Sequence, residues 1–250
     1  MLQQTQVARV IPAWNAFLAD WPTPRACAQA SRADVIRRWE GLGYHRRAVA
    51  LHAAAQVMVE VHQGAVPATL NELLALPGVG PYSARAILAF AFEQDVAVVD
   101  TNVARVLSRA VAGRPMTTKE TQALADAVMS PGRGWAQNQA LLDLGAEHCT
   151  ARPSCAECVL RRSCSWARSG FRDPDPARKT AGTSRPQSRF RGSDRELRGR
   201  LLAAARQEQT RREWEPELES IFGAERITKC LDALVAEGLL ATRGDEVVLA

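Results

Sequence analysis

Four cysteines fall within the sixteen residues CTARPSCAECVLRRSC (149–164), as Cys149, Cys155, Cys158 and Cys164. Thiolates bind metals, and four in one loop can hold either Zn²⁺ or a 4Fe–4S cluster. The C-x5-C-x2-C-x5-C spacing alone does not separate the two. No amino-terminal signal pattern and no membrane-length apolar run is present. This predicts a cytoplasmic chain whose thiols stay reduced, and it disfavours a disulfide framework. Cys27 and Cys230 lie outside the cluster and read as small buried apolar residues. A second chemical candidate is Asp100 in VVDTNVARV (98–106), just ahead of a helical pattern. The commonest use of Asp or Thr at such a place is an N-cap. A third is the turn LPGVG (76–80), where Gly78 and Gly80 flank Val79. Glycines let the backbone turn tightly and approach a ligand without a Cβ clash. Free N–H groups at the start of the next helix can then hold a phosphate.

These residues need a scaffold, and residues 2–168 read as helices. RADVIRRWEGL (32–42), YHRRAVALHAAAQVMVEVHQG (44–64), TLNELLAL (69–76), YSARAILAFAF (82–92), NVARVLSRAVAG (102–113) and KETQALADAVM (119–129) repeat apolar residues at three- and four-residue steps. Gly or Pro breaks separate them. LPGVG between two such segments reads as a helix-hairpin-helix turn. Residues 169–192 are rich in Pro, Gly, Ser and Arg and read as a basic linker. Residues 193–250 predict three short helices and a hairpin turning at Gly244-Asp245, a small winged-helix-like domain. Charge is uneven: residues 151–200 hold thirteen basic and five acidic side chains, within an overall net charge of +5. A basic segment beside a metal-type cysteine cluster points to a polyanion such as nucleic acid.

Taken together, LPGVG-x-Tyr82, Asp100 and the cysteine cluster resemble the helix-hairpin-helix DNA glycosylases that carry an iron–sulfur cluster. MLQQTQVARVIPAW (1–14), WEGLGYHRRAVALHAAA (39–55), LPGVGPYSARAI and NQALLDLGAEHC (138–149) are similar to signature segments of the MutY-type adenine DNA glycosylases. The likeness spans residues 1–168. It implies a mainly α glycosylase domain over 1–168, with a 4Fe–4S cluster held by Cys149, Cys155, Cys158 and Cys164. The implied partner is double-stranded DNA containing adenine mispaired with 8-oxoguanine or guanine. A monomeric, nucleoid-associated enzyme is expected. Gln4 and Tyr44 are then wedges that enter the base stack, and Gly78, Val79 and Gly80 meet the DNA backbone. Asp100, Asn102 and Tyr82 form the catalytic set.

Bifunctional relatives such as endonuclease III place a Schiff-base lysine where this chain has Tyr82. The only lysines are Lys119, Lys179 and Lys229. A monofunctional, water-consuming glycosylase is therefore expected. The competing readings are a thymine–guanine mismatch glycosylase of the same superfamily, a non-catalytic DNA-binding module, and a zinc-bound transcription factor.

Four features depart from the family pattern. The first cysteine gap is one residue short, and Asp100-Thr101-Asn102 stands where the family usually has D-G-N. The tail is too short for the Nudix-like domain of many MutY proteins. The family's catalytic glutamate lies two residues ahead of the position of Met1. Neither Glu40 nor Glu147 matches it. The expectation is a translation start set too late, with an in-frame extension ending in Glu-x-Met; the 250-residue form then releases essentially no adenine.

Overall fold

The computed structural model describes residues 1–2, 5–180, 189–244 and 246–250. Gln4 and Asp245, and with them the Gln4 wedge and half of the expected hairpin turn, lie outside the described residues. Short polar residues open many of the helices. After α1 (Val7–Asp20), Thr23 and Pro24 start α2 (Pro24–Gln29), and Ser31 starts α3 (Arg32–Arg38). Each hydroxyl accepts a backbone N–H that the first turn leaves unpaired. Then come α4 (Arg46–Val61), α5 (Leu70–Ala75) and α6 (Pro81–Phe90). Asp100 opens α7 (Thr101–Val106), which continues as a π-helical segment, Leu107–Ala112. Thr117 and Glu120 cap each other reciprocally at the start of α8 (Thr118–Ala127). The cysteine loop lies between α9 (Gly134–Glu147) and α10 (Ser165–Arg168). After a 3-10 turn, Pro176–Lys179, come α11 (Asp194–Arg206), α12 (Arg211–Phe222) and α13 (Ala224–Ala236). The chain closes with β1 (Leu240–Arg243) and β2 (Glu246–Leu249), antiparallel with Leu240 opposite Leu249 and Arg243 opposite Glu246. The mainly α class is as expected. No helix among the described residues is long and apolar enough to cross a membrane.

Two compact units result. One comprises Met1–Pro67, Leu76–Gly78 and Gln187–Ala250. In it, Phe17, Ile36 and Trp39 share a single core with Leu201, Leu202, Trp214 and Leu234. The other comprises Ala68–Ala75 and Val79–Pro186, with Val103, Leu107, Met116 and Ala125 in its core. Its edges differ from the boundaries at 168 and 193 expected from composition. Three short helices and a hairpin offer little core of their own, and here they share one with α1–α4. The 169–192 stretch differs as well: Asp175, Pro176, Ala177 and Thr180 are buried, because Asp175 answers a buried arginine described below.

Candidate active site and cysteine cavity

The 76–80 turn uses its two glycines for different reasons. Gly78 has φ +75°, and a Cβ there would lie 2.5 Å from the Ala50 Cβ. Fold geometry alone therefore demands glycine. Gly80 has an ordinary φ of −92° and open space where its Cβ would stand. Nothing within the fold requires it to be glycine. Val79 is half-buried between them. Pro81 occupies the first helical position of α6, where a missing N–H costs nothing. Tyr82 follows, with its side chain 41% exposed. Burial first, and then the charge of Asp100, push its phenol above the ordinary value. The tyrosine is thus a neutral hydroxyl within electrostatic reach of the carboxylate.

Asp100 sits at the head of α7 with both oxygens engaged. Oδ1 accepts from the Val103 N–H at 2.8 Å, and Oδ2 accepts from Asn102 Nδ2 at 2.9 Å. The N-cap role is therefore real. It leaves lone pairs on both oxygens, so capping and catalysis do not exclude each other. Asn102 is held in turn, its Oδ1 accepting from Arg105 Nη2 at 2.6 Å. Arg105 also donates to Gly145 O at 2.8 Å and to Cys149 O at 2.9 Å. Helix α9 approaches closely here, since a Cβ on Gly145 would lie 2.6 Å from the Asn102 Cβ. The irregular segment leading to Asp100 is fixed by buried Asn138. Its Oδ1 accepts from Val98 N–H at 2.8 Å, and its Nδ2 donates to Val96 O and Gly134 O, each at 2.8 Å.

The four clustered cysteines line one cavity together with Arg109, His148 and Trp166. Burial pushes the Cys149 thiol up, against the pull of its hydrogen bond from Arg109. Cys155 is raised by burial and then by the neighbouring Cys149, Cys158 and Cys164. Arg109, on the π-helical segment, is only 2% exposed. Its guanidinium forks onto Asp175, with Nε–Oδ1 at 2.9 Å and Nη2–Oδ2 at 2.6 Å. Its Nη1 donates to Thr150 O at 2.7 Å and lies 3.4 Å from Cys149 Sγ. The Trp166 ring stacks against it at 5.3 Å. Cys164 Sγ donates to Arg109 O at 3.4 Å. Arg161 and Arg162 are exposed on the cysteine loop. Cys27 and Cys230 are buried elsewhere, in the core of the other unit.

In that other unit Tyr44 stands at φ +49° with 43% of its surface exposed. Arg105, Arg109, Asn138 and Asp175 were not singled out by sequence reasoning. Their partners are largely main-chain atoms and residues about forty or more positions away, which no local motif records.

Residues 1–131 match the family model for HhH-GPD superfamily base excision DNA repair proteins. The adenine DNA glycosylase of Mycolicibacterium smegmatis is 39% identical over 252 residues, covering 98% of this chain and 83% of that protein. That of Mycobacterium tuberculosis is 45% identical over 215 residues, covering 82% of this chain and 67% of the relative. Among solved structures, a thermostable thymine-DNA glycosylase aligns with a TM-score of 0.61 at 25% identity, over 67% of this chain and 80% of that one. An endonuclease III–DNA complex aligns with a TM-score of 0.61 at 23% identity, over 69% of this chain and 82% of that one.

Proposed function

The chain belongs to the HhH-GPD superfamily of base excision DNA repair proteins, and from its adenine DNA glycosylase relatives we propose that it excises adenine mispaired with 8-oxoguanine or guanine. The identity to adenine enzymes over nearly the whole chain favours this over thymine excision, for which the likeness is one of fold at 25% identity. A cytoplasmic, nucleoid-associated monomer is the setting proposed.

Adenine cannot be reached inside a duplex, so the nucleotide must be extruded, at a cost of roughly a few kcal/mol. Tyr44, exposed on its turn, and Gln4 would fill the vacated stack. Gly78, Val79, Gly80 and the start of α6 would grip the phosphate backbone. Breaking the N-glycosidic bond builds positive charge on the sugar. Asp100 would face that charge, oriented by the Val103 N–H and by Asn102, which Arg105 fixes. Tyr82, a neutral hydroxyl near Asp100, can donate a hydrogen bond but cannot form a Schiff base, which supports single-step hydrolysis without strand cleavage.

Cys149, Cys155, Cys158 and Cys164 are proposed to hold the 4Fe–4S cluster. No three His, Cys, Asp or Glu side chains among the described residues are grouped to hold one metal ion. The four thiols line one cavity, and the choice of a 4Fe–4S cluster over zinc rests on the likeness to the iron–sulfur glycosylases. When bound, the cluster would tie four points of the 149–164 loop together and act structurally.

The observation that carries the catalytic assignment is the doubly anchored Asp100 within electrostatic reach of Tyr82. Asp100→Asn should still bind mismatched duplex but excise at least ~100-fold more slowly, the scale of losing a preorganised charge. Asn caps helices as well as Asp, so near-normal turnover in this variant would reduce Asp100 to a helix cap.

A further inference from the structure

The three carbonyls just ahead of Tyr44, those of Gly41, Leu42 and Gly43, are each held by a side chain. Arg9 donates to Gly41 O, Thr5 Oγ1 donates to Leu42 O at 3.0 Å, and Trp39 Nε1 donates to Gly43 O at 3.0 Å. Arg47, in the first turn of α4, reaches the latter two carbonyls again, its Nη2 lying 3.3 Å from each. The same guanidinium donates to Met1 O at 3.1 Å and to Thr5 Oγ1 at 3.2 Å. It also lies over the rings of Trp39 and Tyr44, at 5.3 and 5.8 Å from their centroids. One cation therefore joins the amino-terminal segment, the turn and the exposed ring.

Tyr44 needs such support. A bulky residue at positive φ is an outlier, and it persists only where its surroundings over-determine it. The flanking Gly41 and Gly43 also have positive φ, at +76° and +68°, and both have open space at their Cβ positions, so they supply no packing. Trp39 is buried, and Arg47 binds to the turn, to Met1 and Thr5 ahead of α1, and to the Tyr44 ring at once.

We infer that Arg47 is a positioning residue that ties Tyr44 to Met1 and Thr5 and so holds the ring as a preorganised wedge for the base stack. The inference rests on the reading of Tyr44 as a wedge. A guanidinium is required because its planar fork reaches several oxygens while one face meets a ring; lysine is a point charge and cannot do both.

The test uses the full chain and a duplex carrying 2-aminopurine opposite guanine, whose fluorescence rises as the base leaves the stack. Fluorescence is read at saturating protein, with folding checked by circular dichroism. Tyr44→Ala should remove most of the rise. Arg47→Lys should cut it at least about fivefold, a modest share of what misplacing a reacting group can cost. In the Tyr44→Ala background the same substitution should change nothing further. Arg47→Gln serves as a second variant should the lysine form fold poorly. A wild-type rise in a folded Arg47 variant, or an equal further loss in the Tyr44→Ala background, would overturn the clamp and leave the wedge standing. A wild-type rise in Tyr44→Ala would remove the wedge itself, and the clamp with it.

Discussion

Asp175 lies in proline- and glycine-rich sequence that reads as a linker, yet its carboxylate is the forked partner of buried Arg109. Burial alone would raise its pKa; the hydrogen bond and charge of Arg109, with the Ala177 N–H, outweigh that and hold it below the usual carboxylate value. A depressed carboxylate pKa contributes stability above the unfolded value of about 3.9 and loses it as pH falls through the folded value. The contribution of this pair should therefore be constant from neutral pH to about pH 5 and disappear only below about pH 4. Asp175→Asn leaves the guanidinium buried opposite a neutral group and should destabilise the fold by about 3–5 kcal/mol at pH 7. Denaturant midpoints measured from pH 7 to pH 3 should show that loss, together with a flatter acid limb than in the parent protein. At this scale the sequence was legible where residue type is rare or spacing is telling: four clustered cysteines, two tyrosines, one Asp ahead of a helix. Arg105 and Arg109 were not, because arginine is common in this chain and burial leaves no mark on its spelling.

Among the elements, the 76–80 turn separates structural from functional glycine. Gly78→Ala places a side chain at φ +75° and against Ala50; it should cost about 2–4 kcal/mol from left-handed strain and overpacking. Gly80→Ala meets neither problem, and its stability should stay within about 0.5 kcal/mol of the parent. If phosphate approaches the backbone there, the added methyl should weaken duplex binding about tenfold, or roughly 1.4 kcal/mol. Thermal melts and a binding titration on both variants check the contrast. Unchanged binding by a folded Gly80→Ala protein would make the turn a mere connector. Helix positions were largely readable from three- and four-residue periodicity and from capping residues. The π-helical segment at Leu107–Ala112 was not, because NVARVLSRAVAG is apolar often enough to fit a continuous α-helix. That departure carries Arg109, in keeping with the frequent use of π turns near functional sites.

For the molecule as a whole, composition pointed to a basic DNA-facing protein and to a change of text after residue 168, but not to a tail sharing its core with α1–α4. Sharing a core is a long-range event, and apolar periodicity records only that a face is buried, not against what. The proposed activity turns on the identity of the base removed. Single-turnover excision from A·8-oxoguanine, A·guanine and T·guanine duplexes tests it in one comparison. Adenine release from the first two duplexes, with no thymine release from the third, is the expected result. Thymine release that matches or exceeds adenine release would contradict it.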